Sequence, residues 1–439
     1  MRHRALPDGT TQPRGIPSAD QVVWDLVPAR SLFDLVYGKA LVSSSRSPGG
    51  VPVFGTNGQC GWHNKPLFKG PGIVIGRKGQ GPLGVEWVDR DYWVIDTGYS
   101  LVPKSDDIDL KFAYFLIKYI GLNHLKDGTS NPTLSREVFG AQALPLPPIE
   151  QQRAIAATLG ALDDKIELNR RMNATLEAMA RALFRDWFVD FGPTRAKMAQ
   201  SAAGAKNQNE PAAPYLSPDL WSLFPDRLDD AGKPEGWEFE AVIDQADWIN
   251  GAAYKNMHFS DSPDALPVIK IAELKNGVTE KTAWTATDLG SRYLINDGEL
   301  LFSWSGNPDT SIDTFLWSGG KAWLNQHIFA VRETEKRSKP FLHAMLKFLK
   351  PEFAELAHNK QTTGLGHVTK ADMQRMLICI APETAHQAFD KLVAPIFDRA
   401  FLLQTESRTL TQTRDLLLPR LMSGELRVAE AERAVETVL

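Results

Sequence analysis

The sequence predicts an α+β protein built from two mixed α/β domains, each followed by a long helix. Its 439 residues can bury a large core and form two or three domains. Short apolar runs separated by Gly and Pro precede each helical segment and predict a mixed sheet. Two other segments keep an apolar spacing of three and four residues, which places those residues on one helix face. We therefore predict two repeated domains separated by two long helices that form an antiparallel coiled-coil-like pair.

An internal repeat relates the two halves of the chain. The segment that begins at Ala143 matches the segment that begins at Leu377 without a gap, a shift of 234 positions. The same shift sets TSNPTLS (129 to 135) against TGLGHVT (363 to 369). Further upstream, GPGIVIGRKGQG (70 to 81) resembles NDGELLFSWSGN (296 to 307) more loosely. Because each half keeps the same order of features, we predict the same sheet in each.

The repeat and the composition together set the predicted boundaries. Residues 193 to 214 are rich in Ala, Gly, Asn and Gln without an apolar period, which is typical of a mobile linker. The predicted segments are a polar N-terminal segment (1–20), a first domain (21–149), a first long helix (150–192), a linker (193–231), a second domain (232–382), a second long helix (383–425) and a C-terminal tail (426–439).

The two helices carry apolar stripes of similar length. Gly192 in FGP is predicted to cap the first helix, whereas Pro395 and Pro419 are predicted to kink or interrupt the second. Two readings stay open: the helices pack on each other, or each packs on its own domain. The residues predicted to pack between the helices are Ile155, Leu159, Leu162, Ile166, Leu176, Leu183, Phe389, Val393, Ile396, Leu403, Leu410 and Leu417.

Polar residues interrupt the first stripe near the middle of its helix. In an antiparallel pair, Asn169 and Asn173 would lie near Leu403 and Ser407. Polar groups in such a seam fix the register of the helices at some cost in stability.

Composition narrows the class of protein. The net charge of −4 means that DNA binding would depend on local basic patches. The start of the chain lacks an apolar export core, and no window of about 18 apolar residues predicts a membrane span, so we expect a cytoplasmic protein. Cys60 and Cys379 are predicted to be buried small hydrophobes, and His343 and His386 surface residues.

One stretch resembles a known family. The sequence LPLPPIEQQRAIAATLGALDDKI (144 to 166), followed by LNRRMNATLEAMARALFRDWFVDFGP and, in the second half, KPEGWEF (233 to 239), is similar to the specificity (S) subunit of type I restriction-modification enzymes. The resemblance extends from about residue 20 to about residue 428, although APETAH replaces the usual Pro-Pro-x-x-Glu-Gln start of the second helix.

The resemblance implies a function and partners. In that family two target-recognition domains each read half of a bipartite site in double-stranded DNA, and the helical pair holds them apart. The S subunit docks two modification (M) subunits, which bind S-adenosylmethionine and methylate adenine. Restriction (R) subunits add ATP-driven translocation and DNA cleavage, with ATP and Mg on these partner subunits. The resemblance thus implies phage defence through DNA methylation and restriction, with no cofactor or metal in this chain.

The sequence offers little support for a catalytic site. An adenine methyltransferase needs an Asn/Asp-Pro-Pro-aromatic stretch, which SNPT (130 to 133) and GNPD (306 to 309) do not provide. Asp264, Glu273 and Lys275 have the order of a nuclease site, but the repeat aligns this segment with one that has no carboxylate. We expect no catalytic residue; a free-standing Mg-dependent DNA endonuclease and a sequence-specific DNA-binding repressor remain the alternatives.

Polar loops supply the candidate DNA contacts. In GRKGQG, glycines on either side allow the backbone to approach phosphates while Arg77 reaches a guanine edge; a solvated hairpin tip is the alternative. The aromatic and amide residues of the other loops suit base edges, but they are also typical of turns and core packing. The candidates are Arg77, Lys78, Gly79, Trp62, Asn64, Lys65, Thr129, Ser130, Asn131, Trp304, Ser305, Asn307, Thr362, Thr363 and His367.

Overall fold

A computed structural model describes residues 24–204, 215–361 and 365–439, which form two compact units. Unit 1 comprises the described residues up to Leu168 together with Ser407–Leu439, and unit 2 is taken from Asn169–Glu406. The strands are β1 Asp25–Pro28, β2 Phe33–Tyr37, β3 Val51–Gly55, β4 Gly58–His63, β5 Gly72–Gly76, β6 Val85–Val88, β7 Trp93–Val94, β8 Gly98–Pro103, β9 Lys126–Asp127, β10 Thr133–Leu134, β11 Ala143–Leu146, β12 Glu238–Ala241, β13 Asp247–Asn250, β14 Leu266–Ile269, β15 Trp284–Thr285, β16 Leu294–Ile295, β17 Leu300–Ser303, β18 Ser305–Gly306, β19 Asp313–Leu316, β20 Ala322–Leu324, β21 Ile328–Arg332, β22 Gly366–His367 and β23 Leu377–Ile380. The α-helices are α1 Ala29–Leu32, α2 Leu110–Ile120, α3 Arg136–Gly140, α4 Ile149–Phe188, α5 Gly192–Gly204, α6 Pro218–Trp221, α7 Ile271–Asn276, α8 Lys339–Phe348, α9 Lys350–Asn359, α10 Lys370–Arg375, α11 Glu383–Ser423 and α12 Val428–Glu436.

Unit 1 is built on a four-stranded antiparallel sheet with the order β2-β8-β5-β6. A second sheet has the order β4-β3-β7, and its strands β3 and β7 are parallel. Strands β1 and β11 pair, with Asp25 opposite Leu146, so the start and the end of the first domain lie side by side. Helix α2 begins at a side-chain cap on Asp109 and buries Phe112 and Phe115 in the core.

Unit 2 repeats this arrangement. Its main antiparallel sheet has the order β13-β21-β17-β19, and its second sheet, β15-β14-β20-β16, also contains one parallel pair, β14 with β20. Strands β12 and β23 pair with Glu238 opposite Ile380, as β1 and β11 do in unit 1. The predicted fold class, two repeated mixed α/β domains, is confirmed.

The long helices α4 and α11, of 40 and 41 residues, pack on each other. In unit 1, Leu159 and Leu162 near the start of α4 share a core with Leu410 near the end of α11. In unit 2, the ring of Trp187, at the end of α4, lies 5.6 Å from that of Phe389, at the start of α11. Because the start of one helix packs with the end of the other in both units, the pair is antiparallel, as predicted. The reading in which each helix packs only on its own domain is wrong.

Polar side chains also join the two helices. In unit 1, Arg414 Nη1 donates to Asp163 Oδ1 at 2.6 Å. In unit 2, the buried Asn169 donates from Nδ2 to Glu406 Oε2 at 2.8 Å. The partner of Asn169 is thus one residue from the predicted Ser407. Such contacts within a largely apolar seam favour one register over its neighbours.

The end of α4 differs from the prediction. Phe191, not Gly192, takes the left-handed conformation, with φ of 54°, and Gly192 begins α5. A Cβ at Gly192 would lie 2.0 Å from Asp186 Oδ1, so any larger residue here would have to displace the Asp186 side chain, which Tyr215 OH contacts.

Two segments predicted without regular structure contain helices. The linker prediction covered 193–231, but 192–204 is helical, and Phe224 packs its ring 4.8 Å from that of Trp187. The predicted tail contains α12, which buries Ala431 and Val435 in the core of unit 1. In both segments a few apolar residues bury enough surface to order the chain, although neither is long enough to show a clear period. Residues 1–20 and 205–214 lie outside the described part.

The predictions for single prolines and cysteines had mixed outcomes. Helix α11 runs through Pro395 and Pro419 without interruption; apolar burial around each proline offsets the lost hydrogen bond. Cys60 is exposed on β4, where Arg46 Nη1 donates to its carbonyl oxygen at 2.6 Å, whereas Cys379 is buried as predicted.

The two histidines predicted at the surface are both buried. His343 is 9% and His386 is 3% exposed, and the His386 ring stacks on Phe188 at 5.2 Å. Burial lowers the pKa of each imidazole to about 3, so both are neutral at physiological pH. A neutral imidazole packs as an aromatic ring, which is why the cores accept them.

Candidate nucleic-acid interface

Two of the predicted DNA-contacting loops meet in unit 1. The loop after β5 receives a hydrogen bond from Leu134 N to Arg77 O at 2.7 Å, and Gly79 N donates to Pro132 O at 3.0 Å. Gln80 Nε2 then donates to the carbonyl oxygens of Thr129 and Ser130, at 2.8 and 2.9 Å. The loop pair, residues 77–81 and 129–133, therefore forms one surface, on which Thr129, Ser130 and Asn131 are exposed.

The two basic side chains of this loop pair are partly engaged. Arg77 Nη1 donates to Asp96 O at 2.9 Å, and Lys78 Nζ lies 3.0 Å from Asp96 Oδ2. The Arg77 guanidinium carbon lies 4.9 Å from the centre of the Tyr37 ring. Arg77 is thus half-buried and held in place, and its Nε has no hydrogen-bond partner within the described residues. A side chain held in this way loses little further freedom when it contacts DNA.

Tyr37 and Arg136 complete a cluster that sequence reasoning missed. The Arg136 guanidinium carbon lies 3.9 Å from the centre of the Tyr37 ring, and Tyr37 is 44% exposed. Tyr37 in turn lies 5.0 Å from Tyr99, whose pKa burial raises to about 12. Tyr37, Arg77, Tyr99 and Arg136, the arginine-tyrosine cluster, offer cationic donors and an aromatic face, which suit phosphates and bases. The pairing of β2 with β8 sets Tyr37 opposite Tyr99, the pairing of β5 with β8 brings Arg77 beside them, and Arg136 comes from the start of α3.

The remaining candidates of unit 1 lie elsewhere. Trp62 is 51% exposed near the end of β4, followed by the exposed Asn64 and Lys65. The turn between β3 and β4 contacts the loop pair: Thr56 Oγ1 donates to Lys78 O at 2.7 Å. Trp62 lies at the opposite end of β4, so it belongs to a second polar-aromatic patch.

Unit 2 presents different chemistry at the equivalent strand end. Val368 N donates to Trp304 O at 2.8 Å, as Leu134 N does to Arg77 O, so Trp304 occupies the place of Arg77. The loose alignment of the two sequences had set Arg77 against Ser303, one residue away. Trp304 Nε1 donates to Asn250 Oδ1 at 2.9 Å, and its ring lies 5.5 Å from that of His327.

The other candidates of unit 2 divide between surface and turn. Ser305 pairs across strands with the exposed His367. Asn307 Oδ1 accepts from Asp309 N at 3.1 Å and from Thr310 N at 3.0 Å, so this amide closes a turn. Thr362 and Thr363 lie outside the described residues.

Two of the three residues considered for a nuclease, Glu273 and Lys275, have structural partners. Glu273 Oε2 accepts from Lys270 N at 3.0 Å, Glu273 Oε1 accepts from Thr282 Oγ1 at 3.1 Å, and Lys275 Nζ donates to Ser311 Oγ at 3.2 Å. Glu273 therefore caps α7. Residues 24–204, 215–361 and 365–439 contain no group of three or more His, Cys, Asp or Glu that could hold a metal ion. None of the helices in these ranges is long and apolar enough to span a membrane.

The comparison with known proteins decides the family. A family model, the type I restriction modification DNA specificity domain, matches residues 22–178 and 234–406. The chain belongs to this family. Each matched segment takes in one mixed α/β domain and part of the helix that follows it. The specificity subunit of type I restriction-modification systems recognises DNA and is not catalytic by itself, and the endonuclease alternative is set aside.

Named relatives support the assignment. The type I restriction enzyme MjaIX specificity subunit of Methanocaldococcus jannaschii is 25% identical over 360 residues, 80% of this chain and 76% of the relative. The HindI specificity subunit of Haemophilus influenzae is 25% identical over 379 residues, 77% of this chain and 82% of the relative. The crystal structure of an S subunit from M. genitalium has the same fold, with a TM-score of 0.51 at 17% identity, covering 94% of this chain and 99% of that one.

Proposed function

We propose that the two domains of this specificity subunit each bind one half of a bipartite site in double-stranded DNA. The observation that carries the proposal is the duplication: one sheet topology, with the same strand-end hydrogen bond, occurs in both units. Duplicated readers contact two separated half-sites, as dimeric DNA-binding proteins do. The arginine-tyrosine cluster contacts one half-site, and the surface around Trp304 and His367 contacts the other.

The helical pair sets the distance between the half-sites. A helix of 40 residues spans roughly 60 Å at about 1.5 Å per residue. The buried apolar seam and the Asp163–Arg414 and Asn169–Glu406 contacts hold one register, which a fixed separation needs. Bases between the half-sites are then unread, and their number is specified by the length of the helices.

The same helices offer docking surfaces for partner subunits. We infer two modification subunits, carrying S-adenosylmethionine, and restriction subunits, carrying ATP and Mg; the complex would act on DNA in the cytoplasm. The relatives named above are specificity subunits of type I restriction enzymes, which supports a multi-subunit complex. Exposed leucines on α11, Leu402 at 59% and Leu416 at 70%, supply apolar contact area for such partners.

Methylation profiling of genomic DNA from a host with and without this gene tests the proposal. We expect one bipartite motif with methylated adenine in both half-sequences, present with the gene and absent without it. A methylation profile that does not change would contradict the proposal. Domain exchange sharpens the test: replacing residues 24–146 by the matching domain of a relative should change one half-sequence and leave the other.

A further inference from the structure

Unit 2 contains a cavity of about 360 Å³ among α4, α8, α11 and strand β19. Residues of these four elements and of α7 line it, among them Asn173, Glu177, Ala180, Thr314 and two lysines, Lys275 and Lys347. The cavity is separate from the strand-end loops proposed to contact DNA. It lies beside the helical pair, where packing is otherwise close.

Hydrogen-bond acceptors in this cavity are left over. Thr314 is 2% exposed, and within the described part of the chain neither its Oγ1 nor the Oδ1 of Asn173 has a hydrogen-bond partner. Buried polar atoms are rarely left in this way unless water or a ligand completes them. Glu177 adds a carboxylate, whose Oε2 lies 3.2 Å from Lys347 Nζ.

The repeat shows what occupies the equivalent place in unit 1. The shift of 234 positions that relates the two helices sets Arg414 against Ala180 and Asp163 against Phe397. In unit 1 the Arg414 side chain is 16% exposed and forms the 2.6 Å ion pair with Asp163. Unit 2 has a methyl group at the position of that arginine, so the cavity is the space that a guanidinium fills in unit 1.

The helix facing the pair confirms the equivalence. Helices α2 and α8 begin at side-chain caps, Asp109 and Ser338. Counting from these caps, Tyr114 corresponds to His343 and Lys118 to Lys347. The change from tyrosine to the smaller histidine enlarges the cavity further. Burial lowers the pKa of Lys118, Asp163 raises it and Arg414 lowers it, so in unit 1 the lysine and the arginine lie together beside that carboxylate.

We propose that this cavity binds a guanidinium group, supplied from outside the chain, in the place that Arg414 fills in unit 1. Asn173 Oδ1, which has no partner in the described residues, and the carboxylate of Glu177, which Lys347 contacts, are acceptors and favour a donor-rich ligand. Phe397 lines the cavity, and a planar guanidinium stacks well on an aromatic ring. An anion is disfavoured because both lysines of the lining are engaged: Lys347 is held by Glu177 and, at 3.1 Å, by Asp313, and Lys275 Nζ donates to Ser311 Oγ at 3.2 Å.

His343 adds no positive charge to the site. Burial lowers the pKa of its imidazole to about 3, so the ring is neutral at physiological pH. Guanidinium binding should therefore not change between pH 6 and pH 8, as far as this histidine is concerned.

Calorimetric titration of the full chain with N-propylguanidinium tests the proposal, with propylammonium and propionate as comparison ligands. We expect saturable binding of one equivalent, with N-propylguanidinium bound at least tenfold more tightly than propionate. Ala180→Arg should abolish this binding by filling the cavity from within, and Glu177→Gln should weaken it. Met179→Arg is the matched control, because Met179 is adjacent but 48% exposed, and it should bind as the unchanged chain does.

A reciprocal variant guards against a failure of Ala180→Arg to fold. Arg414→Ala should open the equivalent cavity of unit 1 and raise the number of bound N-propylguanidinium equivalents from one to two. Absence of saturable binding to the unchanged chain, equal binding of propionate, or undiminished binding by a folded Ala180→Arg variant would each overturn the proposal.

The source of the guanidinium is distinguished by adding the modification subunits, an arm that rests on the proposed function. If an arginine of the partner fills the cavity, assembly abolishes N-propylguanidinium binding and Ala180→Arg weakens assembly. If the group belongs to a free small molecule, assembly leaves the binding unchanged. Failure of the proposed function would instead appear in the methylation profile, whatever the isolated chain binds.

Discussion

Units 1 and 2 share a backbone plan but differ in chemistry at two equivalent places. Just after β5, unit 1 has Arg77, and just after β17, unit 2 has Trp304. The backbone carbonyl of each accepts a hydrogen bond from an equivalent residue, Leu134 in unit 1 and Val368 in unit 2. Beside the helices, unit 1 has the Arg414–Asp163 ion pair where unit 2 has Ala180 and Phe397.

The difference shows which features the duplication has to keep. Strand pairing and the apolar seam are common to both units because each side chain in them has many neighbours, and a change of volume is costly. Side chains at the strand ends have few neighbours and can change freely. Two domains of one fold can therefore read two unlike half-sequences.

The largest expected effect comes from lengthening both helices. Four residues inserted after Asn173 and four after the equivalent Ser407 should keep the apolar face approximately and add about 6 Å to the pair. At about 3.4 Å per base pair, the unread spacer should grow by about two base pairs while both half-sequences stay the same. Methylation profiling measures this. Changed half-sequences, or an unchanged spacer in an active complex, would refute the proposed ruler.

An insertion in α4 alone is the matched control for this experiment. It displaces one helix against the other and breaks the contact of Asn169 with Glu406. We expect lower stability and loss of methylation rather than a new spacer. The double and the single insertion together separate the effect of helix length from that of helix register.

Truncation of the aromatic seam compares the helix packing of the two units. Phe389 contacts the rings of Phe184, Trp187 and Phe188 in unit 2, whereas Ile155 holds the equivalent place in unit 1. Phe389→Ala should reduce the free energy of unfolding by about 3 to 5 kcal/mol and Ile155→Ala by about 2 to 5 kcal/mol. Leu402→Ala, at a position 59% exposed, should change it little. Urea denaturation gives all three values, and a small loss for Phe389→Ala would mean that the seam is not tightly packed.

A buried carboxylate distinguishes the two units at low pH. Asp372 caps α10 in unit 2 and accepts hydrogen bonds from Lys360 and Thr369, whereas the equivalent residue of unit 1 is Val138. Burial alone would raise the pKa of Asp372, but the hydrogen bonds from Lys360 and Thr369 hold it well below its usual range. The stabilisation is therefore present above the unfolded pKa of about 3.9 and is lost as the pH falls below it.

Acid unfolding should consequently begin in unit 2. Asp372→Asn should cost about 2 to 3 kcal/mol at pH 7 and should cost less as the pH falls below about 4. Tryptophan fluorescence against pH, with Asp372→Asn beside the unchanged chain, measures both. An equal loss at pH 7 and pH 3 would show that the charge of Asp372 contributes nothing.

Much of this fold could be predicted because equivalent segments of the two halves match at one constant shift along the sequence. The shift of 234 sets Thr133 against His367, and strands β10 and β22 do lie at those positions. The arginine-tyrosine cluster could not be predicted in the same way. Tyr37 lies beside Tyr99 because β2 pairs with β8, and Tyr99 OH donates to the carbonyl of Leu134, two residues before Arg136. No spacing in the sequence reports which strands pair.

The cavity of unit 2 was also beyond sequence reasoning. Ala180 is an ordinary residue on a helix, and its smallness has meaning only beside Arg414 at the equivalent position. Likewise, the exposure of Cys60 depends on which face of β4 is covered, and an isolated cysteine carries no signal of that. An alignment of the repeat that compared side-chain volumes could have found the first but not the second.

The smallest expected effect is the most informative about DNA reading. Arg77→Ala removes a guanidinium that is already held at the surface beside Tyr37, and it should cost roughly 1 to 3 kcal/mol of binding at a specific base. Trp304→Ala at the equivalent place of unit 2 removes no charge, so it should weaken binding without changing the dependence on salt. The guanidinium of Arg136 also lies over the Tyr37 ring. If it contacts a phosphate, Arg136→Ala should reduce the salt dependence of DNA binding by about one counterion. Titration of the assembled complex with its own site and with random DNA, at several salt concentrations, separates these contributions. If Arg77→Ala leaves both affinities unchanged, Arg77 belongs to a solvated loop, and the reading of that half-site must be sought around Trp62.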